Sequence, residues 1–162
     1  MCGFTLIELV IMLAIVGLVA MVALPLYEVT STRLKEAELR QALRTIRTGL
    51  DAYKAATDSG VLAKTAGESG YPPSLEALTQ PLEMAGKRNL GEAATEASQR
   101  IVILRQLPRD PFFENPQLPA AQTWATRAYA SRPDDALPGA DVFDVASKST
   151  RTGLDGTPYD TW

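Results

Sequence analysis

The sequence predicts an α+β protein in which one long amino-terminal helix, apolar at its start and amphipathic further on, packs against a small antiparallel β-sheet. Three observations carry that expectation. From Phe4 to Tyr27 the chain runs for 24 residues with Glu8 as its only acidic or basic side chain. Further on, Leu39, Leu43, Ile46, Leu50 and Tyr53 recur at alternating steps of four and three, which places them on one face of a helix. Near the carboxyl end, two short runs rich in aromatic and β-branched residues flank a stretch of turn chemistry. The chain therefore divides into residues 1–3, an apolar helix half over 4–27, an amphipathic half over 28–58 and a small globular domain over 59–162.

The apolar half comes first. At about 1.5 Å per helical residue it is long enough to cross a hydrocarbon core of about 30 Å. An ionised carboxylate in that core costs about 2.5 kcal/mol or more, so Glu8 calls for a partner or a function, and the segment itself offers no cation. Pro25 marks a kink or loosened turn because it has no backbone N–H to give. The helix is expected to continue to about Asp58, with Glu36, Arg40, Arg44, Arg47, Asp51 and Lys54 on the faces away from the apolar stripe. The stripe covers barely two heptads, so it reads as a surface for the domain to dock on rather than a coiled-coil seam.

Gly60 to Gly70 is a small, polar connection that ends the helix. Tyr71-Pro72-Pro73-Ser74 then opens a short helix, with Ser74 as N-cap, Leu75 and Leu78 pointing inward and Pro81 as its stop. Residues 83 to 100 read as a variable loop with a turn or two of helix from Gly91 to Arg100. Arg100 to Leu107 suits either a short strand or the end of that helix. Thr123 to Ala130 is expected as one strand, with Trp124 and Tyr129 on opposite faces. Asp141 to Ser147 is expected as a second, with Phe143 and Val145 on one face. Arg132 to Gly139 between them has the composition of a turn or long hairpin loop, and the acids Asp134, Asp135 and Asp141 beside Pro and Gly belong to that turn chemistry.

Gly3, the bulky apolar Phe4, Thr5, Leu6-Ile7 and Glu8 together resemble the processing site of type IV prepilins and type II secretion pseudopilins. Tyr71-Pro72, the proline-rich Leu107-Pro108-Arg109-Asp110-Pro111-Phe112, Pro138-Gly139, Asp141 to Val145, Ser147, Gly153, Asp155-Gly156 and Trp162 follow in an order similar to the major pseudopilin of type II secretion systems. Residues 83–100 and 113–122 match nothing in that pattern. The resemblance implies a pilin-like fold and cleavage after Gly3 by a membrane-embedded prepilin peptidase that also methylates the new amino terminus on Phe4. It further implies a single-pass inner-membrane protein with a periplasmic domain. Such a protein assembles with copies of itself and with other pseudopilins into a helical filament, extracted by an ATPase working through an inner-membrane assembly platform. Cleavage creates a cationic amine on Phe4 that a neighbouring subunit can present to Glu8, so Phe4, Glu8 and Pro25 are the expected assembly residues.

The same resemblance suggests calcium near the last strands, where Asp155 and Asp160 are the candidates, although Lys148 and Arg151 place cations among them. No other cofactor is expected, and Trp162 reads as a packing plug. Met1-Cys2-Gly3 carries no Lys or Arg, whereas Arg33, Lys35, Arg40, Arg44 and Arg47 follow the span. Counting basic residues alone would put the domain in the cytoplasm; the processing site implies the reverse, and the conflict suggests a start codon chosen too late or a truncated leader. Cys2 lies too near the start to follow a lipobox.

Composition limits the remaining possibilities. The net charge of −3 is mild and no basic run of the nucleic-acid-binding kind occurs. With no His, and a single Cys before the cleavage site, imidazole catalysis, a thiol nucleophile and a structural zinc site all lack their residues, and an enzyme is not expected. A type IV pilus pilin and a minor pilin share the amino-terminal motif. A signal-anchored periplasmic binding module is the reading from a different class; it would keep residues 1–3 and tolerate Glu8→Leu.

Overall fold

A computed structural model describes residues 5–64, 67–85, 100–132 and 135–162. Helix α1 spans Leu6–Asp58, 53 residues without a break and about 80 Å of rod. Its start differs from the expected Phe4, which lies outside the described residues. Thr5 is the N-cap, in extended backbone, and its hydroxyl oxygen accepts the Glu8 N–H at 3.3 Å. The far end is closed by geometry: Gly60 takes φ +72°, and the N–H groups of Val61 and Leu62 both turn back to the carbonyl of Ala56.

The amphipathic stripe is the core's backbone. Leu39, Leu43, Ile46 and Leu50 are buried as the spacing predicts, with Ala42 and Gly49 beside them and Tyr53 partly covered. They meet Leu75, Leu78, Leu107, Phe112, Trp124, Val142, Val145 and Tyr159 from the domain. Burying a large apolar side chain of this kind contributes about 1.5–3 kcal/mol, an upper estimate. Gly49 has a packing reason: a Cβ there would stand 3.0 Å from Leu104 Cδ1, so the bare backbone lets Leu104 lie against the helix.

Two charged residues depart from the expected placement. Glu36 is buried, and Arg47 is half-buried, because both lie along the edge of the stripe where the carboxyl-terminal segment crosses α1. The other predicted surface residues Arg40, Arg44 and Asp51 are exposed, and Lys54 is partly covered.

After the connection, a single 3-10 turn covers Leu75–Leu78, with both leucines inward. Ser74 holds the N-cap position without a side-chain cap bond. Strand β1, Leu82–Glu83, pairs antiparallel with β2, Arg100–Ile101. Of the span from Arg100 to Leu107 only that pair of residues is strand, and Leu104 N–H bonds instead to the carbonyl of Leu78. The helical turn expected from Gly91 falls on residues 91–99, outside the described residues.

A second antiparallel pair joins β3, Trp124–Arg127, to β4, Asp144–Ser147, in the register Trp124↔Ser147 through Arg127↔Asp144. Both strands are shorter than expected. Trp124 is buried in β3 and Tyr129 is exposed, but β3 ends at Arg127, so Tyr129 lies past the strand rather than on its opposite face as expected. Phe143 does not share a face with Val145, because Val142 N–H bonds to the carbonyl of Pro72 and breaks the alternation before β4 begins. Val142 and Val145 thus enter the core, while Phe143 turns out to make edge-to-face contacts with Tyr71 at 5.1 Å and Tyr129 at 5.6 Å. The expected loop between these strands holds, with a lone bridge between Arg132 and Asp135.

Candidate functional site

The two halves of α1 meet opposite environments. From Leu6 to Tyr27 every described side chain is exposed, Leu18 by 67% and Tyr27 by 73%, whereas Leu39 and Ile46 are 0% exposed. This apolar half is long and apolar enough to cross a membrane, and none of it is covered by the domain. An exposed apolar surface of this extent marks an interaction surface, for a membrane or for other apolar partners.

Of the residues singled out at its start, Gly3 and Phe4 lie outside the described residues. Glu8 is described, and the structure gives it a local setting that hydropathy overlooks. Thr5-Leu6-Ile7-Glu8 is a capping-box sequence, Thr at the N-cap and Glu three residues on, and the Thr5 hydroxyl takes up the Glu8 N–H. The T-x-x-E spacing was the signal available in the sequence. Pro25 lies inside α1 and leaves the Met21 carbonyl without its usual N–H. One turn later the hydroxyls of Thr30, Ser31 and Thr32 bond back to the carbonyls of Leu26 and Glu28, a pattern that slightly weakens and bends helices.

The proline-rich motif is a structural hub. Asp110 is buried; one carboxylate oxygen accepts the Phe112 N–H at 2.8 Å and the other accepts the Ser147 hydroxyl at 2.5 Å. Trp124 Nε1 donates to the Pro108 carbonyl at 2.9 Å, and Arg109 donates to the carbonyls of Asn115 and Leu118, which organises residues 113–118. The segment thereby ties the 3-10 turn at Ala120–Thr123 and strand β4 to the core under α1.

The carboxyl-terminal segment crosses the same face of α1. Glu36 Oε1 accepts the Leu154 N–H at 2.7 Å and the Tyr159 hydroxyl at 3.0 Å. Burial, reinforced by the hydrogen bond to Glu36, pushes the Tyr159 hydroxyl up to about 12. Trp162 packs edge-on against Tyr159 at 5.0 Å, with the Arg40 guanidinium 4.1 Å above its ring and its carbonyl accepting from Arg47 at 2.6 Å. Arg47 also donates to Asp144 at 2.9 Å and to the Val145 carbonyl at 3.0 Å.

The calcium candidates do not fit an ion that takes six to eight oxygens at about 2.3–2.6 Å. Asp155 Oδ1 already accepts the N–H and the hydroxyl of Thr157, at 3.0 and 2.7 Å, and Oδ2 faces Arg40 at 3.6 Å. The hydrogen bonds from Thr157, with the Arg40 charge behind them, hold this carboxyl below the usual range. Asp155 lines a groove of about 310 Å³ with Arg40 and Arg44, and Asp160 lines a groove of about 390 Å³ with Arg127 and Asp144, so each acid has guanidinium groups in its lining. In the other acidic group, Asp141 accepts the Tyr129 N–H at 2.8 Å and Asp134 lies outside the described residues. Among the described residues no three Cys, Asp or Glu side chains converge to hold a metal.

In comparisons with known proteins, no family model, no curated protein and no solved structure matches this chain.

Proposed function

We propose that this protein is a pseudopilin, a structural subunit of a type II secretion pseudopilus. In this reading the apolar half of α1 anchors the subunit in the inner membrane with its domain in the periplasm. Cleavage after Gly3 by prepilin peptidase readies it for assembly, and the same apolar half then becomes the core of a helical filament that drives protein export. The work is mechanical, with no reaction catalysed.

The observation that carries the proposal is the division of one continuous helix, Leu6–Asp58, into an apolar half left uncovered and a half whose stripe is sealed under the domain. Such a rod can exchange lipid for neighbouring copies without unfolding its head, because the surfaces used for the two purposes do not overlap. The Gly3-Phe4-Thr5-Leu6-Ile7-Glu8 sequence supplies the entry to that exchange. Glu8, near the start of the apolar half, remains the residue that needs a cation, and the amine of a processed neighbour is a suitable one.

The test is the mass of the intact protein and of its amino-terminal peptide, expressed from the longest upstream reading frame with and without an active prepilin peptidase. Loss of everything through Gly3 together with a methyl group on Phe4 is expected. An unprocessed terminus in the presence of the active enzyme would refute the proposal in favour of a membrane-anchored binding module.

A further inference from the structure

We infer that the closing segment, residues 151–162, is seated on α1 by a metal-independent clasp in which the Arg40 guanidinium occupies the role a divalent cation would play, and Glu36 anchors the segment from beneath. The inference does not rest on the pseudopilin reading, since the clasp would operate in any protein with this domain.

Four observations converge on it. The first is a buried carboxylate. Glu36 is 5% exposed, and an acid so placed is tolerated only when hydrogen-bonded; its donors, the Leu154 N–H and the Tyr159 hydroxyl, both come from the segment. The second is the position of the cation. Arg40, one turn along α1 from Glu36, faces Asp155 Oδ2 at 3.6 Å and stacks over Trp162 at 4.1 Å, so one side chain neutralises the loop's carboxylate and covers its indole.

The third is closure of the loop on itself. Gly153 N–H bonds to the Thr157 carbonyl, Gly156 N–H to the Gly153 carbonyl and Tyr159 N–H to the Arg151 carbonyl, while Trp162 Nε1 donates to the Thr157 hydroxyl at 2.6 Å. The carbonyls of Arg151, Gly153 and Thr157 are thereby turned into the loop's own hydrogen bonds, so the turn closes without an ion. The fourth is steric. A Cβ at Gly153 would stand 3.0 Å from both Asp155 Oδ1 and Trp162 Cζ2 and 3.1 Å from Glu36 Oε1. The clasp closes around a residue with no side chain. Arg47 fastens its outer end through the Trp162 carbonyl.

A calcium ion at Asp155 would have to compete with Arg40 for Oδ2 and with both Thr157 donors for Oδ1. The segment should thus be as ordered without the ion as with it.

Hydrogen–deuterium exchange of the full chain in detergent micelles tests this, on peptides covering residues 151–162 and, as internal control, residues 39–50. Exchange of the segment is expected to be the same in excess calcium chloride and in excess chelator. Arg40→Gln should speed it by roughly two- to fivefold, the range of a single partly exposed ion pair. Gly153→Ala should speed it by about tenfold through overpacking. In both variants protection at residues 39–50 should remain. A gain of protection in wild type on adding calcium would overturn the inference, as would unchanged exchange of the segment in both Arg40→Gln and Gly153→Ala. Neither result depends on prepilin peptidase processing, so failure here and failure of the pseudopilin proposal are told apart.

Discussion

Glu8 and Glu36 are acids on one helix in opposite circumstances, and the difference is one of donors. Glu36 lies under the carboxyl-terminal segment with an amide and a phenol aimed at one oxygen. Glu8 lies in an exposed first turn, where its backbone N–H, not its carboxylate, is the group satisfied by Thr5. The Glu36 arrangement makes a prediction about pH. The Tyr159 hydroxyl has an ordinary value of 10.0 and is raised to about 12 in the fold. A raised value means that the folded state holds this proton more tightly than the unfolded chain. Its contribution to stability is full below about pH 10 and is lost as the pH rises through about 12. The thermal midpoint of the domain, followed by the emission of buried Trp124, should accordingly fall over that interval. In Tyr159→Phe this alkaline step should be absent, and the midpoint at neutral pH should be lower because Glu36 then lacks a buried donor.

At the scale of the element, α1 is two helices in function and one in backbone. The half that carries Leu39 to Leu50 is held by tertiary packing, whereas the described residues from Leu6 to Tyr27 are uncovered and held by the helix's own hydrogen bonds. The halves should respond differently to the same kind of truncation. Ile46→Ala removes a side chain that is 0% exposed in the centre of the core, and should cost about 2–5 kcal/mol in chemical unfolding of the domain. Leu18→Ala, at a position 67% exposed, should leave that unfolding transition where it is. An equal cost at both positions would mean that the apolar half contributes to the domain's stability, contrary to the division described above. The strands illustrate how far such reasoning reaches from sequence. Alternation located β3 and β4 and the buried Trp124, but β3 ends before Tyr129, and the hydrogen bond from Val142 to Pro72 takes Phe143 out of the pattern. That contact joins residues seventy apart, and no local period contains it.

On the scale of the whole molecule, the helix and the head are coupled through the line Glu36, Arg40 and Arg47, where the last twelve residues cross α1. The proposed filament would use the opposite end of the rod. Glu8→Leu should therefore leave the domain's thermal midpoint unchanged while abolishing filaments, scored by electron microscopy and by the pelleted fraction of the protein in cells that carry the assembly machinery. Normal filaments from Glu8→Leu would show that the carboxylate serves only the first turn of α1.

The sequence by itself determined the long helix to within a few residues of each end, its apolar and amphipathic halves, the inward leucines at Leu75 and Leu78 and the residues of the docking stripe. All of these are periodic or compositional properties, written into neighbours three or four positions apart. What only the tertiary structure decided is what the charged and polar residues do. Glu36 and Arg47 read as surface charges, Asp110 as part of a proline-rich turn, and Asp155 as a candidate ligand. Their roles are set by partners the fold brings to them, such as Leu154 and Tyr159 for Glu36, Ser147 for Asp110 and Arg40 for Asp155. A helical period says which face a residue occupies; only the fold says which donor, for Glu36 more than a hundred residues away, is brought to meet it.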